Sequence, residues 1–356
     1  RPTAPGTPAE VAEAAATVWD GCMRYASVDI GKQVSQIGLG TWQFGSKEWG
    51  YGPDYDEREA AAIVRRAVEL GVTVFDTAEI YGMGRSERIL GAALRAAGAD
   101  VEGLVIATKL FPVLPIAPVV QQRALASAHR LGVRRLDLYQ VHQPNPLVKD
   151  GTTMRGMSAL IDVGVVGHAG VSNYSLERWQ AADRALAEAS PGSGRVVLSN
   201  QVQYSLVQRA PERDLIPFAE TNGRMVMAYS PLGQGLLSGR FAPGDRVDGV
   251  RRANPHFLPD NLTALAPLLD VLRDVASTRQ VKPSQVALAW TIRHRCVVAI
   301  PGASSVEQLE SNVAAAELEL TPDEITAIDE TAATYRPTTG LAAAPAVAKA
   351  MLRSRT

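Results

Sequence analysis

Four side chains in this sequence combine residue types that can move protons. Asp76 lies in the run Val-Phe-Asp-Thr-Ala, which otherwise has the composition of a buried strand, and Tyr81 follows five residues later. Lys109 ends the run Ile-Ala-Thr-Lys, and His142 ends the run Leu-Tyr-Gln-Val-His. A buried carboxylate is costly unless a cation or hydrogen bonds compensate it. Asp76 therefore predicts a basic partner elsewhere in the chain.

The chemistry of these four groups is complementary. A phenol is a poor acid near neutral pH because its reference pKa is about 10. A neighbouring ammonium stabilises the phenolate, so we expect Lys109 to lower the pKa of Tyr81 and Asp76 to hold Lys109 charged and oriented. His142 would donate a hydrogen bond to a substrate oxygen. The set suits addition of hydride to a carbonyl group, with Tyr81 protonating the new alkoxide.

Each of the four also has an ordinary structural interpretation when it is taken alone. Asp76 would be a carboxylate bonded to backbone at a strand end, and Lys109 a long side chain that extends to water. His142 would be a hydrogen-bonded core residue, and Tyr81 a loop residue packed on the surface. The functional interpretation therefore depends on all four lying at one end of neighbouring strands.

The elements that would place them there recur along the chain. Short strand-like runs alternate with helical patterns, such as the one that begins at Asp56 with a capping-box signal. The first seven runs start 29 to 35 residues apart and the last follows after 72. This alternation predicts an α/β fold of the (β/α)8 TIM-barrel type, with chemistry at the carboxyl ends of the strands. The runs begin at Ile37, Val72, Leu104, Leu136, Val166, Val196, Met225 and Val297.

A doubly wound open sheet is the alternative fold. Such a sheet usually has a G-x-G-x-x-G turn after its first strand, and this sequence has none there. The glycine cluster at 233–239 follows the seventh run with a different spacing. We further predict an N-terminal β-hairpin over 24–36 that covers the barrel floor.

The predicted organisation is a single barrel domain at 23–335. Residues 1–22 form a flexible N-terminal extension, and 336–356 form a C-terminal tail near the active site. The loops 111–120 and 241–260, together with that tail, should line the substrate pocket, because loops carry most binding residues. Their aromatic side chains predict a partly apolar substrate. The aromatic candidates are Trp42, Trp49, Tyr51, Phe111 and Phe257.

Composition narrows the class of partner. The chain has 36 basic and 37 acidic residues and a net charge of -1, which argues against nucleic acid or an anionic membrane as a partner. It lacks the roughly 20-residue apolar run of a membrane span. Two distant cysteines, Cys22 and Cys296, favour a reducing, cytoplasmic setting. The remaining histidines have no metal-ligand spacing, so no metal is expected.

The sequence resembles the aldo-keto reductases, specifically the branch that contains the potassium-channel β subunits. The resemblance places the catalytic tetrad of that family on Asp76, Tyr81, Lys109 and His142, and it implies NADPH-dependent reduction of a small-molecule carbonyl substrate. It spans about Met23 to Tyr335. The matching segments are IGLGTWQFG, FDTAEIYGMGRSERILG, ATK, DLYQVHQP, GVSNY, NQVQYS, AYSPLGQGLLSGR and IPGASSVEQLESN.

The same resemblance implies a site for NADPH without a Rossmann turn. Around the nicotinamide and its ribose it places Gly40, Thr41, Trp42, Asp76, Ser172, Asn173, Gln201 and Tyr229, with the Tyr229 ring stacked on the nicotinamide. Near the phosphates it places Ser230, Leu232, Gly233, Arg240, Arg252, Ser304, Gln308 and Asn312. Many members of the family have a lysine and an arginine where this chain has Gly302 and Gln308. Selection of NADP(H) over NAD(H) would therefore depend on the other residues.

Two further functions stay open on the sequence. One is an NADPH-binding regulatory subunit with weak turnover, and the other is a reductase of a nucleotide-sugar ketone. Reduction of a conjugated C=C bond is associated in this superfamily with glutamate at the histidine position, so His142 favours the carbonyl.

Overall fold

The computed structural model describes residues 23–46, 52, 56–242, 244–245, 247 and 249–352. Eight parallel strands follow one another in chain order within one sheet. Bridges from Ile37 to Ala299 and from Gly40 to Gly302 join the first strand to the last, so the sheet closes into the predicted barrel. The strands are β1 (Leu39–Gly40), β2 (Val74–Asp76), β3 (Val105–Leu110), β4 (Leu136–Val141), β5 (Val166–Ser172), β6 (Val197–Gln203), β7 (Met225–Tyr229) and β8 (Val297–Ala299).

Helices connect the strands, and the predicted start signals cap them. The Asp56 side chain accepts hydrogen bonds from the N–H groups of Arg58 and Glu59 at the first helix. Thr321 and Glu324 form a reciprocal capping box at a later one. The helices are α1 (Glu57–Glu69), α2 (Arg85–Ala96), α3 (Ala117–Leu131), α4 (Asp150–Asp162), α5 (Leu176–Ala189), α6 (Leu215–Asn222), α7 (Pro259–Arg279), α8 (Pro283–Thr291), α9 (Val306–Val313), α10 (Pro322–Thr334) and α11 (Gly340–Leu352).

The apolar core has two layers. The larger layer packs the outer face of the sheet against the helices and includes the fully buried Trp179 and Trp290. The smaller layer fills the barrel interior, and Val28, Ile30 and Val34 of the N-terminal segment belong to it. This segment is the predicted hairpin, reduced to one antiparallel bridge between Tyr25 and Ser35. It closes the floor, so access to the interior is from the carboxyl ends of the strands.

The closure between β8 and β1 rests on a few close contacts. The Gln36 side-chain amide donates to the carbonyl oxygens of Ile292, His294 and Val297 at 2.9–3.0 Å. A methyl group built on Gly40 would lie 2.6 Å from the Ile300 carbonyl oxygen, so a larger residue would push the strands apart. Glycine here lets the first strand approach the last.

The long interval between β7 and β8 contains α7, α8 and three short 3₁₀ turns, Leu236–Ser238, Gly249–Ala253 and Pro255–Phe257. Helix α11 packs against the second and third of these turns, which brings the C-terminal tail to the carboxyl-end face of the barrel. Among the described residues, no helix is long and apolar enough to cross a membrane. The predicted extension at 1–22, Trp49, Tyr51 and 353–356 lie outside the described residues, as do three positions of the loop 241–260, namely 243, 246 and 248.

Candidate active site

Three neighbouring strands carry the proton-moving side chains to one end of the barrel. Asp76 is the last residue of β2, Lys109 lies near the end of β3, and His142 follows β4 directly. The register pairs Asp76 with Ala107 and Lys109 with Gln140, so these positions lie at similar heights. Tyr81 sits in the turns between β2 and α2. The structure therefore brings the four predicted side chains together at one end of the barrel.

Lys109 is the centre of the cluster. Its Nζ donates to Asp76 Oδ2 at 2.7 Å and to the Thr77 carbonyl oxygen at 2.7 Å, and it lies 3.5 Å from the Tyr81 hydroxyl. The Gln201 side-chain amide donates to the second carboxylate oxygen, Asp76 Oδ1, at 2.7 Å. The Lys109 side chain is fully buried. Each charge thus has the partner that its burial requires.

The electrostatics correct one expectation. Burial raises the pKa of Tyr81 and outweighs the lowering by the Lys109 ammonium, so the net shift of this phenol is upward. Burial lowers the pKa of Lys109, but Asp76 and Tyr81 together raise it by more than burial lowers it. The lysine therefore stays protonated. Lys109 does act on Tyr81 with the predicted sign. What the sequence could not supply is the extent to which the ring is removed from water.

His142 completes the cluster as a neutral ring. Burial and the Lys109 charge lower its pKa to about 3. Its ring meets Tyr81 edge-on at a centroid distance of 5.7 Å and Phe111 edge-on at 6.0 Å. Its Nδ1 is buried and has no hydrogen-bond partner in the described part of the chain. A neutral imidazole can orient a substrate oxygen through one N–H, but near pH 7 it has no spare proton to give.

One residue of this cluster was not singled out from the sequence. Gln140 is fully buried beside Lys109 on β4, and Ser199 donates to its side-chain oxygen at 3.3 Å. Gly170 leaves the gap between them, because a methyl group there would lie 2.4 Å from Ser199 Oγ and 2.8 Å from Gln140 Cγ. Burial raises the pKa of Asp76, and Gln140 is among the groups that lower it. Its Nε2 has no hydrogen-bond partner among the described residues.

A polar layer under β2 and β3 fixes the strand ends. The Thr41 hydroxyl donates to the Asp76 carbonyl oxygen at 2.9 Å and contacts Ser86 Oγ at 2.8 Å. Glu87 is fully buried and accepts from Thr108 at 2.7 Å and from Arg130 at 2.5 Å. The Thr41 side chain therefore braces β2 and does not line the open site, whereas Trp42 is exposed and lies 6.2 Å from the Tyr81 ring.

The residues assigned to the nicotinamide form a second connected group. The Tyr229 hydroxyl donates to Asn173 Oδ1 at 3.0 Å, and Asn173 Nδ2 lies 3.1 Å from Ser172 Oγ. Ser172 Oγ donates in turn to the Gln201 carbonyl oxygen at 2.8 Å. Asn173 has a φ of 61°, in the left-handed region that asparagine tolerates. Because Gln201 also binds Asp76, the group is tied directly to the proton-moving cluster.

The loop after β7 supplies features of an anion site. Ser230, Gly233, Gln234 and Gly235 all have positive φ. The Gly233 N–H donates to the Ser230 carbonyl oxygen at 2.9 Å, so in this conformation it is already hydrogen-bonded within the turn. The pyrophosphate contact of Gly233 stays a prediction. The N–H groups of Leu232 and Gln234 donate no hydrogen bond within the described ranges. Backbone N–H groups in such left-handed turns bind anions.

Arginines surround this loop. Arg240 Nη2 would lie 3.3 Å from a methyl group built on Gly235, and Arg251 Nε donates to the Gln234 carbonyl oxygen at 2.9 Å. Burial and the neighbouring Arg240 charge lower the pKa of Arg251, as expected for two cations held together. Arg252 Nε donates to the Val247 carbonyl oxygen at 3.1 Å. Sequence reasoning included Arg240 and Arg252 but missed Arg251. The pair of cations fits a diphosphate.

The third group lies at the start of α9. Ser304 donates through both its N–H and its hydroxyl to Gln308 Oε1 at 3.1 Å. The Asn312 side-chain amide donates to the Gly302 carbonyl oxygen at 3.3 Å. A helix N-terminus favours a phosphate, but these side chains are neutral, so the cations of the β7 loop carry the charge complementarity.

A cavity of about 810 Å³ lies at the opposite end of the barrel, between the hairpin and the starts of β5 and β6. It contains Asp29, His168 and Arg195 and none of the candidate site residues described above. In barrels of this type the floor serves stability and the carboxyl-end face carries the chemistry. Convergent side chains, and not cavity size, therefore identify the site.

Comparisons with known proteins show which proteins this chain resembles. The model of the Aldo/keto reductase family matches residues 36–333. An uncharacterised oxidoreductase of Mycobacterium tuberculosis is 55% identical over 315 residues, which is 88% of this chain and 94% of that protein. A putative voltage-gated potassium channel subunit beta of Schizosaccharomyces pombe is 31% identical over 321 residues, covering 84% of this chain and 90% of that one.

A solved structure is similar over most of its length. The crystal structure of an aldo/keto reductase from Klebsiella pneumoniae, in complex with NADP and acetate, superposes with a TM-score of 0.69 at 27% identity. The match covers 90% of this chain and 98% of that one.

Proposed function

This chain belongs to the aldo/keto reductase family, and we propose that it is an NADP(H)-linked oxidoreductase that reduces an aldehyde or ketone to an alcohol. One observation carries the proposal: Lys109 Nζ lies 2.7 Å from Asp76 Oδ2 and 3.5 Å from the Tyr81 hydroxyl, with the His142 ring edge-on to Tyr81 at 5.7 Å. When bound in the site, the reduced dinucleotide would supply a hydride to the carbonyl carbon.

Tyr81 is the proton donor in this mechanism. Its pKa is raised by burial, so the phenol keeps its proton until negative charge develops on the substrate oxygen. The Lys109 ammonium, 5.0 Å from the ring centre, then stabilises the phenolate that forms. His142 orients the carbonyl oxygen as a neutral ring, because its pKa of about 3 leaves it unprotonated near neutral pH. Asp76 holds Lys109 in place from below.

The dinucleotide would be held by three groups of this chain. Tyr229, Asn173, Ser172 and Gln201 would contact the nicotinamide, beside the backbone of Gly40 and Trp42. The β7 loop, through Leu232, Gln234, Arg240 and Arg251, would bind the diphosphate. Ser304, Gln308 and Asn312 would meet the adenosine phosphate. The two N–H groups without hydrogen-bond partners in the described ranges support this fit.

The test is oxidation of NADPH with a generic aldehyde such as 4-nitrobenzaldehyde. Tyr81→Phe should lower kcat by about 10² to 10⁴-fold, the usual contribution of a positioned proton donor, and should keep NADPH binding. Tyr139→Phe is the matched control, since Tyr139 is buried on β4 and its hydroxyl has no partner among the described residues. Wild-type turnover in Tyr81→Phe would reject Tyr81 as the donor.

A regulatory subunit that binds NADPH with weak turnover is the second candidate, and the similarity to a putative channel subunit favours it. The same assay separates the two. Tight NADPH binding with less than one turnover per minute across aldehydes, ketones and nucleotide-sugar ketones would support the subunit.

We also place the protein in the cytoplasm. Burial raises the pKa of Cys296 to about 12, so this thiol is inert and suited to a reducing setting. Cys22 lies outside the described residues. Cell fractionation with an antibody to the native protein would test the location.

A further inference from the structure

Large apolar side chains are exposed around one sector of the site. Met83 in the β2–α2 loop is 81% exposed, and Val113 and Leu114 in the β3–α3 loop are 63% and 57% exposed. Leu147 in the β4–α4 loop is 91% exposed. Since β2, β3 and β4 are neighbours in the barrel, these loops are neighbours at its mouth. We name these four residues the apolar rim. Exposed apolar groups that cluster in this way mark binding surfaces more often than isolated ones do.

Two residues of the apolar rim have an unfavourable backbone conformation. Met83 has a φ of 54° and Leu114 a φ of 51°, both in the left-handed region. Glycine or asparagine adopts this region most readily, and other residues lose about 1 kcal/mol or more there. A large exposed apolar side chain gains nothing from folding at such a position. Such backbone outliers point to a function for the side chains.

The loops that present the apolar rim are pinned to one another. The Arg123 guanidinium pairs with Glu79, and Glu79 accepts a hydrogen bond from the Phe111 N–H. The Asn145 side chain donates to the Pro112 carbonyl oxygen at 2.7 Å and accepts from the Leu147 N–H at 2.7 Å. The three loops are therefore cross-linked by side chains, and the rim is formed before any ligand arrives.

The apolar rim is continuous with the reaction centre. The Phe111 ring lies 6.0 Å from the His142 ring, and the Val113 N–H donates to the Phe111 carbonyl oxygen at 2.8 Å. On the other side Trp42 lies 6.2 Å from the Tyr81 ring. Phe111 thus links the reaction centre to the rim residue Val113, and Trp42 borders the proton donor.

We propose that the apolar rim holds the hydrocarbon tail of an amphiphilic substrate, a medium- or long-chain aldehyde or ketone, whose carbonyl group lies between Tyr81 and His142. The proposal rests on the function proposed above and makes it more specific. It disfavours a nucleotide-sugar ketone, because the polar groups of a nucleotide would meet Met83, Val113, Leu114 and Leu147 in place of hydrogen-bond donors and cations.

The test compares straight-chain aldehydes from propanal to decanal. For wild type, kcat/KM should rise about twofold per added methylene, less than the full-burial value because one side of the tail still faces water. The variant Met83→Ser/Leu114→Asn should flatten this dependence and leave kcat/KM for propanal within a factor of two. Asparagine tolerates the left-handed φ of position 114, so the loop keeps its shape.

Val163→Ser is the matched control, since Val163 is 72% exposed in the turn between α4 and β5, at the floor of the barrel. It should keep the full dependence on chain length. An equal dependence in the rim variant and in wild type would overturn the proposal, and so would a wild-type rate that ignores chain length. A rim variant that changes the oligomeric state on gel filtration, with its chain-length dependence intact, would assign the rim to a second copy of the chain and also overturn it.

Failure of the proposed function gives a different result. If wild type turns over none of the aldehydes, the proposed function fails. The binding of n-decanol and n-propanol, which are not turned over, then tests the rim, with tryptophan fluorescence as the readout. Tighter binding of decanol than of propanol by more than tenfold, reduced in the rim variant, would keep the apolar rim as a binding surface. Equal affinity would reject it.

Discussion

The proposed reaction end of the site and the proposed binding region for the diphosphate and the adenosine phosphate, which we call the adenosine end, are built from different parts of the barrel. At the reaction end Asp76 and Lys109 lie on adjacent strands, and their side chains are almost completely buried. At the adenosine end Ser304 and Gln308 lie in a loop and in the first turn of α9, and Arg240 is exposed. Strands hold atoms in place through the whole sheet, whereas a loop holds them through a few local bonds.

This difference shows which groups of the site must be positioned precisely. Proton transfer requires atoms within hydrogen-bond distance, so its groups sit where the backbone is most constrained. A phosphate carries its charge over several oxygens and tolerates small displacements of its partners. We therefore expect substitutions at the reaction end to affect folding and chemistry together, and those at the adenosine end to affect affinity alone.

Loss of the central cation should have the largest effect. Lys109→Met leaves the Asp76 carboxylate buried without its ion pair, which should lower the free energy of unfolding by about 3–5 kcal/mol. Urea unfolding followed by fluorescence measures this. The double variant Asp76→Leu/Lys109→Met should recover part of the loss, and Lys149→Met, at an exposed lysine, should change stability by less than about 0.5 kcal/mol. Equal losses in the single and double variants would show that the pair has no coupling.

The buried imidazole should make stability depend on pH. The pKa of His142 is about 3 in the folded protein and 6.5 in the unfolded reference, so below pH 6.5 the unfolded chain binds a proton that the folded one does not. The contribution of the neutral His142 ring to the free energy of unfolding is thus complete above pH 6.5. It is lost as pH falls toward 3, by about 3 kcal/mol after allowance for the water that reaches the ring.

His142→Gln should remove that part of the slope between pH 7 and pH 4 in urea titrations. Burial also lowers the pKa values of His168 and His256, and these contribute equally to both proteins. The difference between variant and wild type therefore isolates His142. Parallel slopes would mean that the ring is solvated in the folded state.

At the adenosine end the effect should be confined to affinity. Arg240→Met should weaken NADPH binding about tenfold and reduce its salt dependence, because an exposed guanidinium acts through screened charge. The kcat at saturating NADPH should stay unchanged. Arg134→Met, at a 95% exposed arginine paired with Glu102, is the control. A fall in kcat would break the distinction between the two ends.

The smallest effect is expected at Gln140. Gln140→Met keeps the volume and removes an amide that helps to lower the pKa of Asp76, so the acid limb of the kcat profile should move to higher pH. Ser199→Ala should move it in the same direction by less, and Tyr139→Phe should not move it. An unshifted limb with reduced stability would make Gln140 a packing residue.

Much of the reaction end could be predicted from the sequence, because strand periodicity fixes which residues reach the carboxyl ends. The order of the strands and the convergence of Asp76, Lys109 and His142 follow from that rule. The net pKa of Tyr81 could not be predicted, since it depends on how many atoms surround the ring. The contact of Gln140 with Ser199 depends on the missing side chain of Gly170, which no periodicity reveals.

The adenosine end was less predictable for a related reason. Arg251 lies in a loop whose path is set by bonds to Gln234 and not by a repeating pattern. The resemblance places Gly233 near the phosphates, and the turn uses the N–H of this residue internally. Loop conformation decides which donors are available, and composition alone does not report it.

The hydrogen bonds of Gln36 that close the barrel between β8 and β1 have a consequence for the order of folding. The contacts of this amide join residues 256 to 261 positions apart. The barrel therefore cannot close until nearly the whole polypeptide has been synthesised. During translation the half-barrel from β1 to β4 would emerge with β1 as an unpaired edge strand. Pulse-labelled hydrogen exchange during refolding should find the amides of Gly38 and Ala299 among the last to become protected.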